Sequence, residues 1–80
     1  MRLSPEVSNQ LHGWAAEGTL VTSQEVINSD FYQAIQVETR LDASNSHLTP
    51  EAQILLANII ATSESLTHLD MSRNAIRANA

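Results

Sequence analysis

Residues 39–44 come back 28 positions later in the chain. Thr39 returns as Thr67, Leu41 as Leu69, Asp42 as Asp70 and Ser44 as Ser72; further on, Leu48 is matched by Ile76 and Ala52 by Ala80. The matches cluster where a short strand and the turn after it would lie, so chance is a weak explanation. A fixed offset of this size is a strong constraint. Each copy is one supersecondary unit that cannot bury its apolar face alone and must stack on its neighbour. The same offset sets Gly13 under Leu41 and Trp14 under Asp42, and nothing matches there. The repeat is therefore expected to begin near Val37.

Local patterns give that repeat a shape. Residues 37–43 alternate, with Val37, Thr39, Leu41 and Ala43 on one side and Glu38, Arg40 and Asp42 on the other, which is a half-buried strand. Leu48-Thr49-Pro50-Glu51 is an emphatic helix start, with Thr49 as N-cap and Pro50 in the first turn. Ala52, Leu55, Leu56, Ile59 and Ile60 carry that helix to about Ala61. Residues 62–65 are a polar turn, and residues 66–71 form a second short strand. Strand, helix, strand in this order predicts parallel pairing through a right-handed crossover. Leu66, Leu69, Met71 and Ile76 are expected to point inward, and Asn74 to bond backbone groups left open at the bend.

The front half follows another rhythm. Ser4-Pro5-Glu6 opens a helix over residues 5–17, with Leu3, Val7, Leu11 and Trp14 on one stripe and Gly18 as the stop. Thr22 or Ser23 can cap a second helix. Because Asn28-Ser29-Asp30 compete for backbone hydrogen bonds, one helix or two short ones meeting near Ser29 both fit the pattern. The aromatic residues Trp14, Phe31 and Tyr32 all fall here. Their reading is core packing beneath a helical cap, with an interface anchor at Trp14 or Tyr32 as the alternative.

Composition narrows the function classes. Nine acidic residues stand against four arginines and no lysine, for a net charge of −5. A nucleic-acid binder needs a basic face to displace counterions from phosphates, and four scattered arginines do not make one. Anionic membrane surfaces are disfavoured for the same reason. The missing lysine fits a GC-rich coding sequence; avoidance of lysine-directed tagging, in a protein delivered into a host cell, is the sharper alternative. No signal peptide follows Arg2, and the most apolar run, residues 54–61, is too short to span a bilayer. The expected location is cytoplasmic. His12, His47 and His68 are widely spaced and cysteine is absent, so no metal, disulfide or cofactor is expected.

The stretch Leu66-Thr67-His68-Leu69-Asp70-Met71-Ser72-Arg73-Asn74-Ala75-Ile76 resembles the signature segment of a leucine-rich repeat, L-x-x-L-x-L-x-x-N-x-L. The helix from Pro50, with a small residue at Ala52 and core residues at Leu56 and Ile60, is similar to the helical part of the ribonuclease-inhibitor subfamily. The first copy departs from the pattern at Glu38, where leucine is expected, and at Ser46, where asparagine is expected. The resemblance covers the back half of the chain. It implies an α/β fold: a short leucine-rich-repeat solenoid of two parallel strands with a crossover helix. Residues 37–80 would hold two repeats, the second truncated, behind a helical N-terminal cap of residues 1–36.

The resemblance further implies that outward strand residues form a protein-binding face: Arg40, Asp42 and Asn45 from the first copy and His68, Asp70 and Arg73 from the second. An ordinary solvated face is the competing reading, and the recurrence of Asp42 as Asp70 suits a structural role as well. His68, Asp70 and Ser72 alternate onto one face but are too loosely held for a proton relay, and Gly13 and Gly18 supply no oxyanion loop. The expected function is a protein–protein interaction module and not an enzyme, either from an effector or from the N-terminal part of a larger repeat protein. The alternative is a small acidic inhibitor or antitoxin-like protein that occludes a basic surface. The last strand would leave an open edge. A longer parent, a homodimer through that edge, or a front half folded back over it would each resolve this, and the first two are preferred.

Overall fold

The computed structural model describes residues 1–74; Ile76 and Ala80, both matched by the repeat, lie outside the described residues. The elements in order are α1 (Pro5–Glu17), α2 (Gln24–Ile27), α3 (Asp30–Ile35), β1 (Arg40–Asp42), α4 (Pro50–Ile60) and β2 (His68–Asp70). Every helix starts on a hydroxyl. Ser4, Ser23, Ser29 and Thr49 sit in extended backbone, and their side chains accept from the N–H groups of Val7, Val26, Tyr32 and Ala52. Each such bond satisfies one of the donors that a helix N-terminus leaves open, for about 1 kcal/mol. Gly18 ends α1 in the left-handed conformation at φ 69°, a geometry that costs a residue with a Cβ more. Ser29 also resolves the choice over the second helical segment. Its hydroxyl donates to Val26 O at 2.7 Å and caps α3, so there are two short helices and not one.

β1 and β2 pair in parallel, with Arg40 beside His68, Leu41 beside Leu69 and Asp42 beside Asp70. This is the register of the 28-residue repeat, and α4 lies in the connection between the strands. The strands are shorter than the alternation suggested. Val37, expected on the inner side, is 76% exposed, because residues 36–37 still belong to the turn that closes α3. The ladder also reaches further forward than Val37. Arg2 forms a parallel bridge with Asp42; Leu3 N–H donates to Asp42 O at 2.9 Å and Asp42 N–H to Met1 O at 2.7 Å. The far side of β1 is thus lined by residues 1–3, an arrangement the 28-residue offset did not predict.

The core sits between this sheet and the helices. α1 and α4 pack on each other, and α3 also meets α4. Leu11 and Trp14 from α1, Phe31 and Ile35 from α3, Leu41 from β1 and Leu56 and Ile59 from α4 are all buried in one cluster, with Leu3, Leu48 and Ala52. Trp14 and Phe31 are therefore core residues, and Tyr32 packs part-buried against the cluster. Burying a side chain of Leu, Ile or Phe size stabilises the fold by roughly 2 kcal/mol. The second strand departs from expectation. Leu41 is 2% exposed but Leu69, its partner in the register, is 41% exposed. Leu66 and Met71 are only partly buried, so the inward set expected for this strand is incomplete among the described residues.

Bends on either side of the strands are closed by side chains. Asn74 Oδ1 accepts from Ser46 N–H and Leu48 N–H, each at 3.0 Å, while its Nδ2 donates to Ala43 O, Met71 O and Ser72 O. At the matching place in the first copy, Ser46 Oγ donates only to Ser44 O at 3.2 Å. On the entry side, Ser63 Oγ donates to Ile35 O, and Ser65 Oγ donates to Glu38 O and Gln36 O. Replacing Asn74 by alanine strands two N–H groups and the carbonyls of Ala43 and Met71, while Ser72 O keeps the Asn45 N–H. The change should cost about 2–4 kcal/mol, whereas Ser46→Ala should cost under about 1 kcal/mol. Urea unfolding midpoints of the two variants measure that difference.

Candidate functional site

The six outward residues singled out in the sequence fall into three rows of two. Arg40 and His68 are side by side, Asp42 and Asp70 follow, and Asn45 and Arg73 lie in the turns beyond the strands. All six are exposed. Arg40, Asp42, His68 and Asp70, together with Met1, Leu41, Thr67 and Leu69, line a shallow depression of about 640 Å³ over the sheet. A second hollow, of about 470 Å³, lies between the start of α1 and the turn after β1, with Arg2, Ser8, His12, Asn45 and His47 among its lining.

The two aspartates hold the same bonds. Asp42 Oδ1 accepts from Ser44 N–H at 3.0 Å and from Ser44 Oγ at 2.6 Å; Asp70 Oδ1 accepts from Ser72 N–H at 2.9 Å and from Ser72 Oγ at 2.7 Å. Each Asp-x-Ser segment is therefore an Asx turn that ends its strand. The residue after each serine takes up a left-handed conformation, φ 49° at Asn45 and 59° at Arg73. Asn tolerates this at little cost, and Arg accepts strain on the order of 1 kcal/mol. Repetition of Asp42 as Asp70, and the presence of Asn45, thus have a backbone cause. Arg40 and His68 have no such cause. His68 Nδ1 lies 2.9 Å from the hydroxyl of its neighbour Thr67.

Arg2 joins this face without having been singled out. Its guanidinium donates to Asp42 Oδ1 at 2.9 Å and to Ser44 Oγ at 3.2 Å. A signal was present: Leu3-Ser4-Pro5-Glu6 is echoed by Leu48-Thr49-Pro50-Glu51, which marks the first residues as the approach to a helix of the same kind. His12 has a role besides exposure, since Thr49 N–H, at the cap of α4, donates to its Nε2 at 3.2 Å.

The electrostatics follow the bonds. The Asp42 carboxyl is held below the usual carboxylate range by the Ser44 hydroxyl first, then the Ser44 N–H and Arg2. The Asp70 carboxyl is lowered by the Ser72 hydroxyl and N–H, with Asp42 opposing and Arg73 assisting. The bonds do not run on from His68 to Asp70: Asp70 is held by Ser72, while His68 meets Thr67. Among the described residues, no group of three or more histidines, cysteines or acidic residues is placed to hold a metal, and no helix is long and apolar enough to cross a membrane. Comparison with family models, with curated proteins and with solved structures finds no match to this chain.

A carboxyl whose pKa is lower in the folded chain contributes stability above its unfolded value of 3.8, and that contribution is lost as pH falls through the folded value. Thermal unfolding followed from about pH 6 to about pH 2 should show a loss of stability confined to the region below about pH 4. Asp42→Asn and Asp70→Asn keep an acceptor for the serine N–H but do not titrate. The double variant should show a shallower acid limb than the parent.

Proposed function

We propose that this chain is a protein-binding module built as a short leucine-rich-repeat solenoid, whose outward strand face meets the partner. The observation that carries the reading is the repetition of one local structure at one offset. Two strands in register, two Asp-x-Ser turns and two left-handed residues recur 28 positions apart. A unit that repeats its backbone leaves the outward side chains free to differ without disturbing the core, which suits them to recognition. Arg40 and His68 are the residues most open to that role, because the remaining positions of the rows also serve the turns. Protein is the favoured partner class, since the acidic balance argues against phosphate backbones and anionic lipid.

A second reading, an acidic inhibitor or antitoxin-like protein covering a basic surface, draws on the first turns of the helices. Each carries an acidic residue, Glu6, Glu25, Asp30 and Glu51, and none has a basic residue in its last turn. Salt separates the two readings. Occlusion of a basic surface by diffuse charge weakens steeply as ionic strength rises, whereas a docked face with a few central contacts does so less.

The test compares proteins captured from cell extract by the parent chain with those captured by Arg40→Glu and by Gln10→Glu, a charge change on the exposed face of α1. Arg40→Glu should lower the affinity of a captured partner about tenfold, and Gln10→Glu should leave it unchanged. Equal affinities for all three proteins would remove the strand face from consideration.

A further inference from the structure

Successive residues of a strand turn their backbone groups in opposite directions, so an edge strand bonds its neighbour through alternate residues. In β2 those residues are His68, whose N–H donates to Thr39 O at 3.2 Å, and Asp70, whose carbonyl accepts from Ala43 N–H at 2.8 Å. Leu69, between them, presents its N–H and C=O on the opposite side. No strand pairs with that side among the described residues. The side chain of Leu69 is open as well, at 41% exposure, with part-buried Leu66 and Met71 near it in the chain. An edge with unpaired backbone and exposed apolar surface is a template for another strand.

We propose that this edge is taken by the same edge of a second copy of the chain, with the two β2 strands antiparallel about a twofold axis at Leu69. The sequence of the strand selects that occupant. Pairing centred on Leu69 sets His68 of one copy opposite Asp70 of the other, and the twofold axis forms this favourable contact twice. Leu69 then faces Leu69, and the two residues exchange both of their N–H···O bonds. The neighbouring registers are worse. One sets Asp70 against Asp70; the other sets His68 against His68 and leaves Leu69 against Thr67. Like residues of one charge opposite each other are unfavourable. Asp70 remains able to take part, because Ser72 bonds only its Oδ1. The edge is short, so the dimer is a weak one, with a dissociation constant on the order of tens of micromolar.

This inference goes beyond the outward-face reading, since it adds the backbone edge of β2 and the Leu69 side chain to His68 and Asp70 of that face. Sedimentation equilibrium over about 10 μM to about 1 mM tests it. The parent chain should pass from monomer to dimer across that range. Leu69→Pro removes the N–H given across the axis while sparing the bonds to β1, and His68→Glu sets two acids opposite each other; each should weaken the dimer at least about tenfold. Leu69→Lys, an edge charge of the kind that blocks strand pairing, should do the same if the proline variant fails to fold. His68→Lys should preserve the dimer, and Gln10→Glu, on the exposed face of α1, should leave its dissociation constant unchanged. A parent chain that stays monomeric throughout, or a dimer equally strong in His68→Glu and Leu69→Lys, would overturn the proposal.

Discussion

The bends that enter and leave the two strands leave backbone groups that neither ladder nor helix reaches, and the fold depends on the polar side chains that close them. Ser63 and Ser65 tie the approach to β2 to the carbonyls of Ile35, Gln36 and Glu38. Asp42 and Asp70 close the exits on Ser44 and Ser72, and Asn74 joins the second exit to the first through Ser46 and Leu48. A buried backbone group without a partner costs more than a made bond contributes, so these few residues decide whether the strands can lie in register. An 80-residue chain without cysteine has no covalent alternative.

Register, once held, accounts for the rest. Leu41 of β1 belongs to one buried cluster with Ala52, Leu55, Leu56 and Ile59 of α4. α1 and α3 close that cluster with Leu11, Trp14, Phe31 and Ile35. On the opposite side of the sheet the charged residues Arg40, Asp42, His68 and Asp70 are exposed. The two edges differ. Residues 1–3 cover β1, whereas the described residues place no strand beyond β2, and the contrast between Leu41 and Leu69 measures that difference.

Much of this was legible because local chemistry announces itself. Ser4-Pro5 and Thr49-Pro50 marked two helix starts to the residue, Gly18 marked a stop, and the 28-residue offset predicted the pairing of Leu41 with Leu69. What escaped depended on contacts distant in sequence. The bridge from Arg2 to Asp42 spans 40 positions and lies outside the 28-residue offset; its trace in the sequence is the echo of Leu3-Ser4-Pro5-Glu6 in Leu48-Thr49-Pro50-Glu51. Alternation overstated the first strand, since the turn that ends α3 had prior use of Val37. At the sheet, the offset set Arg40 beside His68 and Asp42 beside Asp70, as the register has them. The sequence could not separate aspartates that build turns from side chains free to bind, because that distinction lies in hydrogen bonds to Ser44 and Ser72.

Everything in this fold follows from the two copies lying side by side in one sheet. Scalar couplings across hydrogen bonds report it directly in a labelled sample. Parallel pairing in this register should give a coupling from Ala43 N–H to the Asp70 carbonyl, one from Asn45 N–H to the Ser72 carbonyl, and one from Leu3 N–H to the Asp42 carbonyl on the other side. Helical chemical shifts around Leu41 or Leu69, with none of these couplings, would contradict it.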